Sequence, residues 1–158
     1  MAKAILLCGK IGCGKTQYAK ALCAKTGAAL LSCDELMLAL FGQDAGEMHD
    51  VYAERARHYL LKKSSEILHA GQSVVLDLGF WRREDREETR KFYASEGISA
   101  ELYFLDPDEQ TRQRYLQKRN AEVLAGGSDA YYVDEGLAAK CDGRFERPGK
   151  EEIDLLIP

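Results

Sequence analysis

Apolar runs alternate with amphipathic stretches along this chain. Ala4-Ile5-Leu6-Leu7-Cys8 is a continuous apolar run ahead of a glycine and predicts a short buried strand. Thr16 to Lys25 carries Tyr18, Ala19, Leu22 and Cys23 at helical spacing, with Gly27 placed to end the helix. Ala28 to Ser32 predicts a second strand, Glu35 to Phe41 a short helix stopped at Gly42, and Val51 to Ala70 a long helix with Leu60, Leu61, Ile67 and Leu68 inward. Val74-Val75-Leu76 is a third strand, ending at Asp77. Arg83 to Glu96 is a charged helix, Ile98 to Leu105 a fourth strand, Asp108 to Leu124 a helix, Val133 to Cys141 a short helix and Ile153 to Ile157 a last strand. Apolar strands separated by helices predict an α/β fold with a parallel sheet covered on both faces.

Length changes this picture little: 158 residues suit one domain, taken as 1–158. The apolar run at the N-terminus is too short for a secretory signal, and no run is long enough to span a bilayer. Five cysteines without a CxxC pair argue against a disulfide framework or zinc knuckle and for reduced thiols in the cytoplasm. His49, His58 and His69 are not spaced as metal ligands. The net charge of −4 argues against nucleic acid as the main partner. Its distribution says more. Lys3, Lys10, Lys15, Lys20 and Lys25 precede position 34 with no acid among them. Asp34, Glu35, Asp44, Glu47, Asp50 and Glu54 follow with no lysine or arginine.

Gly9-Lys10-Ile11-Gly12-Cys13-Gly14-Lys15-Thr16 satisfies G-x-x-x-x-G-K-[ST] between a predicted strand and a predicted helix. Glycines let the backbone curl around an anion, and the helix N-terminus adds partial positive charge. Lys15 then serves the β- and γ-phosphates of ATP and Thr16 a Mg²⁺ ion. Cys13 sits where a helix dipole favours a thiolate, although a small residue that fits the turn is the plainer role.

Asp34 and Asp77 stand at carboxyl ends of predicted strands, where open parallel sheets build their sites. Phosphoryl transfer to a hydroxyl needs a carboxylate to take the proton, a role that suits Asp34, and gains from an acid near the metal, which suits Asp77. The plain alternatives are a helix cap for Asp34 and a turn residue for Asp77. Arg112 and Arg119 lie two turns apart on one face of their helix, and Arg119 is the first candidate to close over the phosphates. Arg82, Arg83, Arg86, Arg90 and Lys91 are interleaved with acids and predict a salt-bridged exposed helix. Trp81 suits either substrate contact or the core.

The loop, the segment Leu31-Ser32-Cys33-Asp34-Glu35, the strand end Val75-Leu76-Asp77 and Lys118-Arg119-Asn120 resemble the P-loop kinase group that contains polynucleotide 5′-hydroxyl kinases, zeta toxins and chloramphenicol phosphotransferases. Tyr131-Tyr132-Val133-Asp134-Glu135 with Arg144-Phe145-Glu146-Arg147-Pro148 is similar to small bacterial kinases of the AAA_33 type. The resemblance implies a three-layer α/β/α P-loop NTPase fold with a five-stranded sheet in the order 2-3-1-4-5 and a helical lid near 110–145. It implies ATP-dependent phosphorylation of a hydroxyl group, with Asp34 as general base and Arg144 to Gly149, Arg147 included, beside the nucleotide base. The sequence departs from the polynucleotide kinases at two positions. Met37 stands where they carry a basic residue, and the lid arginine falls near Val123. Both departures count against a nucleic-acid end, and the acidic run from Asp34 to Glu54 favours a small-molecule hydroxyl acceptor that is neutral or cationic. A 5′-hydroxyl kinase and a nucleotide-binding regulatory module remain the alternatives.

Overall fold

The structure is a computed structural model and describes residues 1–127 and 130–158. Its strands are β1 (Lys3–Cys8), β2 (Ala29–Ser32), β3 (Val74–Asp77), β4 (Ser99–Leu105) and β5 (Leu155–Ile157). Its helices are α1 (Lys15–Thr26), α2 (Cys33–Phe41), α3 (His49–His69), α4 (Arg83–Ser95), α5 (Glu109–Leu124) and α6 (Glu135–Arg144). The five strands form one sheet in the order β2-β3-β1-β4-β5, as the resemblance implies. Every pair is parallel.

Side chains of β1 alternate between two cores, as the pleat requires. Ala4, Leu6 and Cys8 join Val74, Leu76, Leu102 and Phe104 on one face, under α2, α3 and α4. Ile5 and Leu7 join Val75 and Leu105 on the other, under Ala19, Leu22 and Cys23 of α1. Both faces are therefore covered, which explains why these strands read as unbroken apolar runs. All five cysteines are free thiols. Among the described residues no helix is long and apolar enough to cross a membrane.

Three differences from the sequence reading have a clear physical reason. α6 starts at Glu135 rather than Val133, because the Asp134 carboxylate accepts from the Leu137 amide and caps the helix there. β5 starts at Leu155, because Lys150–Glu152 turns as a 3₁₀ segment first. The third difference concerns α4, which is not exposed throughout. Arg86 is fully buried, its guanidinium bonded to Glu152 and to the carbonyls of Phe80, Trp81 and Glu146. A charge survives burial only with such complete pairing.

Candidate active site

The site forms at the carboxyl edge of β2, β3 and β1. Register pairs Ser32 with Asp77, so Asp34, just beyond Ser32, emerges next to the end of β3. The loop from Gly9 to Thr16 leaves β1 between the two halves of the sheet.

Glycine is required in that loop for steric reasons. Gly12 has φ 76° and Gly14 φ 94°, conformations that L side chains rarely adopt. A Cβ on Gly12 would overlap the Leu116 side chain of α5, and one on Gly9 would lie 2.8 Å from the Leu105 carbonyl. Gly14 caps α1 without a side chain, which leaves the first-turn amides open toward the loop. Lys15 Nζ donates to the Gly9 and Lys10 carbonyls at 2.8 and 3.0 Å and touches the buried Cys13 thiol at 3.6 Å. Thr16 Oγ1 donates to Asp77 Oδ2 at 3.1 Å. Ile11 offers its carbonyl to Arg112, and Lys10 completes the turn by accepting from the Cys13 amide.

These residues fit a nucleoside triphosphate with Mg²⁺. The loop is a cradle that a Cβ would fill, and it has a lysine at its lip. Among the described residues no group of three His, Cys, Asp or Glu side chains would hold a metal by itself. The Thr16–Asp77 pair instead suits a hard cation that takes its remaining oxygens from phosphate.

Asp34 does not cap its helix. That role falls to Ser32, whose hydroxyl accepts from the Glu35 amide at 3.2 Å. The Asp34 carboxylate instead faces a cleft lined by Thr16, Lys20, Ser32, Asp34, Glu35, Arg119 and Ala130. It keeps access to solvent through the mouth while the protein crowds it from the other sides. That crowding, and then the negative charge of Asp77, push its pKa above the usual carboxylate range, against the pull of Arg119, Lys15 and His49.

The two candidate arginines of α5 are placed differently. Arg119 lines the cleft, donates from Nε to the Tyr131 carbonyl at 3.0 Å, and makes no ion pair among the described residues. Arg112 is buried and committed elsewhere: it pairs with Glu109 and Asp142 and donates to the Ile11 carbonyl. Arg147 lies outside the cleft, its guanidinium 5.0 Å from the Phe104 ring and paired with Asp106. Met37 is core.

Sequence reasoning missed Lys20 as a site residue. Lys20 is one turn beyond Thr16 on α1, so helical spacing alone would have placed it on the same face. Three side-chain amide and guanidinium groups pin the segment from Ala130, which lines the cleft, to Val133. The Gln43 amide donates to the Ala130 carbonyl and accepts from the Tyr132 amide, Arg119 holds Tyr131, and the Asn120 amide makes both bonds to the Val133 backbone. Positions 128–129 of the expected lid lie outside the described residues.

Sheet order, loop and strand-end acids together define a P-loop α/β protein of the kinase-like topology. The chain belongs to the AAA_33 family, described as an AAA domain, whose profile matches residues 5–148. No curated protein matches it in sequence. Its fold is shared with a candidate kinase from Chloroflexus aurantiacus, at TM-score 0.73 and 18% identity over 99% of this chain and 86% of that one. It is shared with a gluconokinase from Sinorhizobium meliloti, at TM-score 0.62 and 16% identity over 98% and 80%. It is also shared with the APS kinase of Mycobacterium tuberculosis, solved with AMPPNP and APS, at TM-score 0.58 and 22% identity over 99% and 87%.

Proposed function

We propose that this protein is an ATP-dependent kinase that phosphorylates a hydroxyl group of a small molecule. The carrying observation is that Thr16, Asp34 and Arg119 line one cleft. The phosphate end, the candidate base and the candidate charge-neutralising arginine therefore face a common space. Neighbours described as a gluconokinase and an APS kinase are kinases of small acceptors, which agrees with this reading.

Bound ATP·Mg²⁺ would supply the phosphoryl group and the metal's charge, held by the Gly9–Thr16 loop with Thr16 and Asp77 at the metal. The protein's own part is proton handling and electrostatics. Asp34 accepts the proton of the acceptor hydroxyl, and its raised pKa makes it a stronger base than an ordinary aspartate. Lys15 exchanges its loop carbonyls for phosphate oxygens, and Arg119 offsets the negative charge that builds during transfer. Arg147, next to the end of β4, is a candidate contact for the nucleotide base. Arg112 keeps the phosphate loop in shape from behind.

Asp34→Asn tests the assignment. Its ATP affinity should stay within about twofold of the wild type. Phosphoryl transfer should fall by about 10²–10⁴-fold, the usual yield of a general base. Turnover equal to the wild type would overturn Asp34 as the base, and little turnover in either protein would favour a nucleotide-binding module instead.

A further inference from the structure

Several charged side chains elsewhere in the molecule pair with one another, Lys3 with Glu101, Arg90 with Asp154 and Arg147 with Asp106 among them. Those that line the cleft do not. Lys20, Asp34, Glu35 and Arg119 border one space, and among the described residues none of them makes an ion pair. The kinase reading uses Asp34 as the base and Arg119 to offset charge. It leaves Lys20 and Glu35 without a part. Both are exposed, and they bring opposite charges to the cleft from two different elements, α1 and α2.

Local structure fixes where these two charges stand. Lys20 lies one turn beyond Thr16, about 6 Å along the axis of α1. Glu35 follows Asp34 in the first turn of α2. Its amide donates to the Ser32 hydroxyl, so the cap that frees the Asp34 carboxylate also fixes the turn from which Glu35 projects. The phosphate end at Thr16, the base at Asp34, a cation at Lys20 and an anion at Glu35 therefore border the same cleft. Water satisfies an exposed charge in the free protein. A ligand group of opposite sign replaces that water with a charge-assisted hydrogen bond, which is stronger than a neutral one.

We propose that Lys20 and Glu35 select the acceptor, Lys20 by a carboxylate and Glu35 by an ammonium group, and that the acceptor is a small hydroxy amino acid. This rests on the kinase reading above. In transfer the acceptor oxygen forms the new bond to phosphorus, the bond to the ADP oxygen breaks, and Asp34 takes the hydroxyl proton. The signs of the charges disfavour simpler acceptors. A hydroxy acid without an amino group brings a second negative charge to Asp34 and Glu35 and leaves Glu35 unmatched. An amino alcohol brings its ammonium toward Lys20 and leaves that cation unmatched. A neutral polyol uses neither. A molecule with both groups satisfies both side chains and adds no net charge to a cleft whose own cations and acids balance.

The test uses the full chain with Mg²⁺ and ATP and a panel matched in size. It holds serine and homoserine, a hydroxy acid without the amino group, an amino alcohol without the carboxylate, a neutral polyol, and serine blocked at both ends as its N-acetyl amide. A free hydroxy amino acid should be the best acceptor, by about tenfold in kcat/KM over each other class. Lys20→Met and Glu35→Gln should each lower that kcat/KM about tenfold, the loss of one charge-assisted bond. The hydroxy acid and the amino alcohol are also read as competitive inhibitors of hydroxy amino acid phosphorylation. The ratio of their inhibition constants, acid over alcohol, should rise about tenfold in Lys20→Met and fall about tenfold in Glu35→Gln. Lys20→Arg, which keeps the cation, should restore the wild-type ratio. A merely structural effect leaves the ratio unmoved, because an inhibition constant does not change with the fraction of protein folded. An unmoved ratio in either variant, shifts of the same sign, or a preference for any other class overturns the assignment and leaves the kinase reading standing. So does a panel in which no hydroxy amino acid is phosphorylated. The kinase reading falls with it only if no class is phosphorylated and ATP turnover is insensitive to Asp34→Asn.

Discussion

Asp34 is the residue on which proton transfer and stability pull in opposite directions. Its carboxyl has a raised pKa because the folded chain crowds it and Asp77 faces it. A base must be ionised, so kcat should fall as pH drops through a value above the ordinary aspartate range of about 4. The stability sign is reversed. Below the unfolded pKa both states are protonated and the group contributes nothing. As pH rises, the unfolded chain ionises first, and folding loses stability until the folded pKa is passed. Asp34→Asn should therefore raise Tm at neutral pH and leave it unchanged near pH 3, as thermal melts at the two pH values would show. Equal effects at both would mean that the carboxylate carries no charge penalty. The position of Asp34 was legible because acids just past strand ends are conspicuous in an α/β pattern. Its freedom from capping was not, since Ser32 and Asp34 are both good caps and only the backbone decides between them.

At the scale of elements, α5 shows how far periodicity reaches. Arg112 and Arg119 do lie two turns apart on one face. Two turns span about 10 Å, enough for one end to pass behind the phosphate loop while the other reaches the cleft. Arg112 thus joins α5, α6 and the Ile11 carbonyl, and Arg119 joins α5 to the Tyr131 segment. Their alanine variants should separate. Arg119→Ala should lose about 10²–10³-fold in kcat with little change in Tm, the scale of one lost charge-stabilising donor. Arg112→Ala should lower stability by about 1–3 kcal/mol, because Asp142 and a buried carbonyl lose their donor, and should weaken ATP binding through the loop. Denaturant unfolding beside steady-state kinetics reads both. A catalytic loss without destabilisation in Arg112→Ala would move the closing role to that residue. The helix count followed from alternating apolar runs, and the sheet order from the family resemblance. The starts of α6 and β5 did not, because a cap at Asp134 and a 3₁₀ turn at Lys150–Glu152 are local choices that hydrophobicity does not record.

Across the whole molecule, the contrast between a cationic start and an acidic stretch from Asp34 onward converges on one cleft, where Thr16 and Lys20 face Asp34 and Glu35. What knots the end of the chain to the connection between β3 and α4 lies beyond that contrast, in the buried Arg86. It ties α4 to Glu152 near the C-terminus and to the carbonyls of Phe80 and Trp81. It thereby holds Phe80 at φ 49°, a conformation costly for a bulky residue, and aims Trp81. Arg86→Met would leave Glu152 buried without its cation, at a cost of about 3–5 kcal/mol. Burial by itself would push the Glu152 pKa up. Hydrogen bonds from Arg86 and the Gly149 amide overcome that and hold it below the usual glutamate range. In the wild type the stability from this pair is full above the unfolded pKa of about 4.3 and is lost as pH falls through the lower folded value. In Arg86→Met the folded pKa should rise above the unfolded one, so this group should add stability on acidification from pH 7 toward 4. Melting curves across that range should show the slope of Tm against pH become more negative than in the wild type. An unchanged slope would mean that Glu152 finds another cation, and that this knot does not depend on Arg86.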